Sequence, residues 1–384
     1  MNVNVILLAV FGMLGMTILF PLLAACLSPF QNKGRERKQD SRASDSPIKI
    51  SILIPAHNEE KSIGVTILSV QAAIILAERS YSGLHCEIIV GADACTDRTT
   101  ETAMSLGAET IVSSSSLGKW GMLSKLTHAA QQTDWIAFVD AGTIWPENLL
   151  VEALPYINSA CCVGVAPAYR NPGGGRLESL FWNFERSLKY LEGFCGGPIS
   201  IHGATILYQA QPVKRVFAKL GDTRWLNDDV VVPLMLRTLN PGHRIKYLSN
   251  VLVRDSDHRA AGAGKLRNER FRRVRMVRGN AQWIRGLLYK TCISNPSVGS
   301  LAFRRVFRVF WAYWALAMFW AIGGTVTSAL NVHPFSVISF SVAALLALYF
   351  AVPPVRRWIV AAFASLLAPY FVIRGDCEKG VIWG

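Results

Sequence analysis

Three short polar segments hold the residues best suited to chemistry: Pro55-Ala56-His57-Asn58-Glu59-Glu60, Gly91-Ala92-Asp93-Ala94-Cys95-Thr96-Asp97 and Asp140-Ala141-Gly142-Thr143. A fourth, the acidic pair Asp228-Asp229, opens the apolar run Val230-Val231-Val232. Between 265 and 308 the chain is densely basic, with Glu269 its only acid. A carboxylate within reach of a hydroxyl can take its proton, and carboxylate oxygens suit a hard divalent cation. Arginines can neutralise the charge that develops on a phosphate leaving group. Taken singly, these residues have duller uses. Asn58, Thr96 and Asp97 are ordinary helix caps, and acids in the first turn of a helix favour its dipole.

The elements around these segments decide between the two uses. Runs 48–54, 87–90, 109–112 and 135–139 read as β-strands. Helical stretches follow Glu60, start near Thr96, cover 119–131, and follow Pro146. Such alternation predicts a mostly parallel sheet covered by helices. In sheets of this kind ligands bind beyond the carboxyl ends of the strands. Three polar loops after three strands would therefore surround one cleft, which caps alone do not require. No GxGxxG follows the first strand and no GxxxxGK[ST] occurs, so any nucleotide must be held by side chains and short loops.

These residues resemble glycosyltransferase family 2, the inverting enzymes with the GT-A fold. The stretch 52–60 looks like the family's "IIPAxNEE", and 88–99 is similar to its "ADxCTDxT" segment. Gly118-Lys119-Trp120-Gly121 stands where "GKxxAL" usually stands, and 135–148 looks like "FxDADTxxxPxxL". Asn227-Asp228-Asp229 takes the place of "TED", and 272–276 that of "QxxRW". The ordered set spans roughly 48–283. The fold it implies is α/β: a Rossmann-like GT-A domain with helices on both faces of the sheet, joined to transmembrane helices.

The resemblance also implies roles. Pro55, Asn58, Glu59 and Asp93 would line the nucleoside pocket, Lys119 would approach the base or phosphates, and Asp140 the diphosphate and a metal. Asp229 would be the general base, with Asp228 the alternative, and Arg275 would neutralise the leaving diphosphate. Gly197, His202 and Met276 would border the acceptor. A UDP-sugar is the expected donor and a lipid-linked or other membrane acceptor the expected partner. Anionic lipids and a glycan-assembly complex are further expected partners, and nucleic acid is not expected.

The chain departs from the family pattern in two places. Gly142 stands where the second carboxylate of "DxD" would be, so Mg²⁺ or Mn²⁺ would lean on Asp140, phosphates and water, with His258 as an extra ligand. Met276 replaces the tryptophan of "QxxRW", which suits a greasy acceptor and a single sugar transfer. A processive polysaccharide synthase and a catalytically silent nucleotide-sugar scaffold are the alternative functions.

Bulk properties point to a membrane. The chain has 384 residues, 51% hydrophobic and 17% charged, with a net charge of +14 and mean hydropathy +0.28. An apolar chain with basic excess fits a membrane protein with a cytosolic positive face. Spans are expected at 5–27, 310–330, 335–352 and, short enough to be tilted or interfacial, 358–373. Lys33, Arg35, Arg37 and Lys38 after the first span, and Arg304, Arg305 and Arg308 before the second, hold the middle of the chain in the cytosol of a bacterial-type inner membrane. The expected divisions are 1–30 membrane helix, 31–47 basic linker, 48–264 catalytic domain, 265–300 basic interfacial helices, 301–375 membrane helices and 376–384 tail. In the interfacial helices Phe271, Met276, Trp283, Ile284 and Leu287 would dip into lipid. Eight scattered cysteines without metal spacing read as free thiols in a reducing compartment.

Overall fold

The computed structural model describes residues 3–28, 47–170, 176–221, 223–256, 266–330, 333, 339, 341 and 353–374. One eight-stranded sheet organises the middle of the chain, in the order β3-β2-β1-β4-β7-β6-β8-β5. The first four strands, β1 (Ile48–Ala56), β2 (Leu84–Asp93), β3 (Glu109–Ser113) and β4 (Trp135–Val139), pair in parallel. Their expected positions agree with the fold, and the buried, aliphatic composition of the inner strands β1 and β4 is what a sheet covered on both faces demands. β5 (Thr143–Ile144), β6 (Cys162–Arg170), β7 (Thr205–Gln209) and β8 (Arg244–Asp255) complete the sheet with mixed pairing. β7 runs antiparallel to both β4 and β6, and β5 antiparallel to β8.

The helices α3 (Ile63–Ser80), α4 (Thr99–Ser105), α5 (Gly118–Ala129), α6 (Leu149–Ile157), α7 (Arg176–Glu192), α8 (Ala210–Leu220) and α9 (Asp228–Leu239) cover the sheet. Two apolar cores result. One, around Ile50, Ile52, Ile67 and Leu149, lies under α3 and α6. The other, around Leu53, Leu123, Phe217 and Val231, lies under α5, α8 and α9. α3 is long and apolar enough to cross a bilayer, yet Ile63, Thr66, Ile67, Val70, Ala73 and Ala77 form a buried stripe against the sheet. The 3.6-residue period of that stripe is that of a domain helix.

Near the amino end, α1 (Val3–Leu14), a π-helical turn (Gly15–Leu19) and α2 (Phe20–Cys26) form one apolar rod, and 5–26 meets the requirements of a span. After the domain come α10 (Leu266–Gly286), α11 (Leu288–Ser294), α12 (Pro296–Val309), α13 (Trp311–Leu330), α14 (Pro353–Leu366) and α15 (Ala368–Arg374). α12 and α13 meet at 61°, and 355–374 is a further candidate span. The expected span 335–352 lies outside the described residues, apart from single positions. Gly12 packs so closely on the Trp314 ring that a Cβ there would sit 2.3 Å from it, so glycine lets α1 and α13 touch.

α10 and α11 differ from the expected lipid-dipping pair. Trp283 is fully buried and Leu287 nearly so, both inside the core that holds Val231. Phe271 alone of the five named apolar residues is exposed. Trp283 and Leu287 therefore turn into the domain core, while α10 packs along α14 and α15. Ala24 of α2 and Leu301 of α12 belong to the same core, so membrane-type helices and domain are packed as one body.

Candidate active site

The strand ends deliver the polar loops to one edge, where they are cross-tied. Asn58 adopts a left-handed backbone (φ 55°), tolerated by its short polar side chain, and its Oδ1 accepts from the Thr96 amide at 2.8 Å. The Glu59 amide donates to Thr99 Oγ1 at 2.7 Å, and the Glu59 carboxylate accepts from Ser62. Pro55 closes β1 beyond Leu53, where the recorded ladder to β4 ends, so its missing N–H interrupts none of that pairing.

Asp93 is fully buried and holds the next loop. Its carboxylate accepts from the amides of Leu117 (2.7 Å) and Gly118 (2.8 Å) and from Ser116 Oγ (3.1 Å). Gly118 has φ +74°, which a side chain would resist, and from it α5 starts. Trp120, stacked on Phe217 with ring centroids 4.6 Å apart, fixes the first turn of α5 from the core side. The residue between them, Lys119, is thereby aimed at the cleft.

Lys119 joins two distant acids. Its Nζ lies 2.8 Å from Asp140 Oδ1 and 3.1 Å from Asp228 Oδ2. Burial works against the ammonium, but Asp140 and Asp228 outweigh it and hold its pKa above the ordinary lysine value. Asp228 is raised, chiefly by burial and further by Asp229 and Asp140, while Lys119 opposes the shift. Asp140 sits at the end of β4 in a turn whose Gly142 (φ 88°) donates to Thr66 Oγ1 and accepts from the Ser256 amide at 2.7 Å.

Asp229 is placed differently from its neighbour. Its carboxylate makes no hydrogen bond or ion pair with a described residue, and a Cβ on Gly203 would lie 3.6 Å from the Asp229 Cβ. Its backbone carbonyl accepts from Ile201. Asn227, the residue before the pair, spends its amide on the Met276 carbonyl at 3.0 Å, and Gly279 packs directly on that amide. α10 thus holds the start of α9, and Met276 lies beside the acidic pair. Arg275 is half-buried on the same helix, with its Nε shielded and unbonded.

On the far side of Asp229, the 3₁₀ turn Gly193–Cys195 leads to Gly197, whose φ of +108° and contact with the Ile245 carbonyl admit no side chain. The buried Arg237 donates to the carbonyls of Cys195 and Gly197 and sets this loop. His202 lies among rings, 5.1 Å from Trp182 and 5.5 Å from Tyr169. Burial, then the nearby Lys189 and Arg308, push its pKa well below the usual histidine value.

Of the expected site residues, Asp93, Lys119, Asp140, Asp228 and Asp229 are brought together, with Met276 and His202 at the rim. His258 lies outside the described residues. Among the described residues no three His, Cys, Asp or Glu side chains gather to hold a metal. Sequence reasoning did not assign Lys189, Trp182, Tyr169 or Arg305 to the site. Arg305 was expected only at a membrane entry, and Tyr169, Trp182 and Lys189 lie on β6 and α7, for which no role was expected.

Residues 51–211 match the family model described as Glycosyl transferase family 2. Glucosyl-3-phosphoglycerate synthase of Mycolicibacterium smegmatis is 29% identical over 160 residues, which are 37% of this chain and 50% of that protein. The chain therefore spans about half the length of the curated relative it matches. Among solved structures, a mannosyltransferase from Pyrobaculum calidifontis, in complex with GDP-Man and Mn²⁺, is similar with a TM-score of 0.62 and 16% identity over 96% of this chain and 98% of that one. That likeness establishes the GT-A fold. A glucosyl-3-phosphoglycerate synthase from Mycobacterium tuberculosis, solved with Mn²⁺, UDP and phosphoglyceric acid, gives a TM-score of 0.37 at 23% identity over 54% of this chain and 70% of that one. The stretch that carries Asp93, Lys119 and Asp140 thus lies within the match to the Glycosyl transferase family 2 model.

Proposed function

We propose that the protein is an inverting glycosyltransferase that moves one sugar from a nucleoside-diphosphate sugar to a hydroxyl of a membrane-associated acceptor. The observation that carries this reading is the division of labour at α9. Asp228 is tied through Lys119 to Asp140, while Asp229, one residue on, keeps its carboxylate unbonded. The first set offers a cation beside two acids for a diphosphate. The second offers a base for an acceptor hydroxyl approaching from the other side, as single displacement with inversion requires.

In this reading the polar loops at 55–60 and 93–99 take the nucleoside, Lys119 turns toward the donor phosphates, and Arg275 adds positive charge from α10. A UDP-sugar is the donor that the family resemblance implies, and a GDP-sugar is a second reasonable donor, since the Pyrobaculum mannosyltransferase was solved with GDP-Man. Asp140 suits a divalent cation, because one carboxylate with phosphate oxygens and water is a coordination that Mg²⁺ or Mn²⁺ accepts. Ser256, directly after β8, donates its amide to the Gly142 carbonyl in the turn that holds Asp140. A bound metal would supply charge neutralisation at the leaving diphosphate.

The membrane part of the proposal rests on the apolar rod 5–26, on 355–374 and on the bent pair α12–α13. Ala24 of the first rod and Leu301 of α12 enter the core of the domain, and 355–374 packs on α10 and α13. Purified full-length enzyme, given UDP- and GDP-sugars with Mg²⁺ or Mn²⁺ and membrane lipid extract, should release nucleoside diphosphate and label a lipid fraction. No release with any donor would remove the transferase reading in favour of a silent nucleotide-sugar binder. A ladder of many added sugars would replace single transfer by processive synthesis.

A further inference from the structure

A second cationic centre lies on the acceptor side of Asp229, apart from Lys119. α7 turns Glu185, Lys189 and Glu192 to one face, at i, i+4 and i+7, and all three are buried. α12 meets them with Arg304, Arg305 and Arg308. Arg304 Nη2 lies 2.6 Å from Glu192 Oε1, and Arg308 Nη1 lies 2.5 Å from Glu185 Oε2. Two glutamates thus answer two arginines. Lys189 is left with the Ser200 carbonyl as its hydrogen-bond acceptor. The Arg305 guanidinium makes no hydrogen bond or ion pair with a described residue, and its Nε is shielded from solvent.

Four cations, Lys189, Arg304, Arg305 and Arg308, thus face three acids, Glu185, Glu192 and Asp229, so the layer keeps one positive charge in surplus. Burial, with Arg305 and Arg304 adding repulsion, brings the Lys189 pKa down to about 8, even though Glu192 and Glu185 pull it up. The surplus borders the candidate base. Asp229 is an electrostatic partner of Arg305, and His202, beside Lys189 and Arg308, immediately precedes Gly203, which packs on Asp229. Tyr169 and Trp182 wall the His202 side.

We infer that Lys189 and Arg305, with His202 beside them, seat a phosphate monoester carried by the acceptor, so that the acceptor's hydroxyl is presented to Asp229. The inference rests on the reading of Asp229 as the base. Two cations and a neighbouring ring N–H match a phosphate's charge and its several acceptor oxygens. The donor diphosphate is served separately at Lys119 and Asp140, so the two anionic groups do not compete. α12 also joins the pocket to the apolar helices: Ser297 and Ser300 donate to the Ala24 and Phe20 carbonyls of α2, and α13 continues from its end. A phosphate on a lipid could reach the pocket along that path, as could a phosphate on a soluble acceptor.

The test is binding to the full-length protein in phosphatidylcholine nanodiscs at constant ionic strength. One arm dopes the discs with a long-chain polyprenyl phosphate, with the uncharged polyprenol as control; the other titrates glycerol 3-phosphate. Saturable binding of a phosphate probe, at least tenfold weaker in K189M and in R305Q but within threefold of the parent in R305K, is the expected result. The arm in which it occurs names the source. UDP and GDP binding should be unchanged in the same variants, which shows that they are folded. Binding of neither probe, or binding that K189M and R305Q leave intact, would overturn the inference. Phosphate binding without any sugar transfer would sink the transferase reading while leaving the pocket standing.

Discussion

In the proposed reaction Asp229 takes the proton of the acceptor hydroxyl. Replacing it by asparagine removes a base but keeps the shape, so turnover should fall by about 10²–10⁴-fold while nucleoside-diphosphate binding survives; steady-state kinetics with a titration of bound nucleotide would check both. Lys119→Met acts on the other half of the site. Loss of a charge-assisted contact of about 1.5–3 kcal/mol should weaken donor binding roughly 10–100-fold, as read by calorimetry. Asp228→Asn should share that phenotype, because Asp228 reaches the donor side through Lys119. The identity of these residues was legible in the sequence: acids after strands and an acidic pair before an apolar run are local patterns. That Lys119 would link Asp140 to Asp228 was not, because the three positions lie on separate elements.

At the scale of elements, the loops depend on tight backbone approaches and on α7. Gly197→Ala would drive a Cβ to 1.9 Å from the Ile245 carbonyl at φ +108°. Overpacking alone costs about 1–3 kcal/mol, and a lower unfolding temperature with weakened transfer should follow. The layer between α7 and α12 should respond to pH. Lys189 has a pKa near 8 in the folded protein against an ordinary 10.5. Between these values the unfolded chain binds more protons, so stability rises with pH across that window. The effect is on the order of 3 kcal/mol. The unfolding temperature of Lys189→Met, followed from pH 7.5 to 10, should lack this rise. α10 was legible only in part: its basic, amphipathic pattern fits a lipid surface and a protein surface equally, and the entry of Trp283 and Leu287 into the domain core is a tertiary outcome.

The whole molecule joins two kinds of surface. The Arg304–Glu192 pair is buried where α12 meets α7, and breaking one partner of such a pair costs about 3–5 kcal/mol. Glu192→Gln should therefore destabilise catalytic domain and helical end together, giving one shifted transition in calorimetry rather than two. Ala24 shares its core with Val231 and Leu301, so a chain lacking residues 1–28 should expose apolar surface and elute as aggregate in size-exclusion chromatography. Retention of the full chain in membranes after alkaline carbonate washing would support the proposed integral placement.

The sequence alone determined the alternation of strand and helix in the first half of the domain, the polar loops at its strand ends and the apolar rod at 5–26. Each of these is written in local period and composition. The tertiary structure alone decided that Ala24 of α2 and Leu301 of α12 join the core of the domain. It also decided that β6, β7 and β8 join with mixed pairing, and that Arg304, Arg305 and Arg308 face α7. Those outcomes depend on which apolar and charged surfaces remain uncovered once the sheet has formed, a quantity that no window of consecutive residues contains.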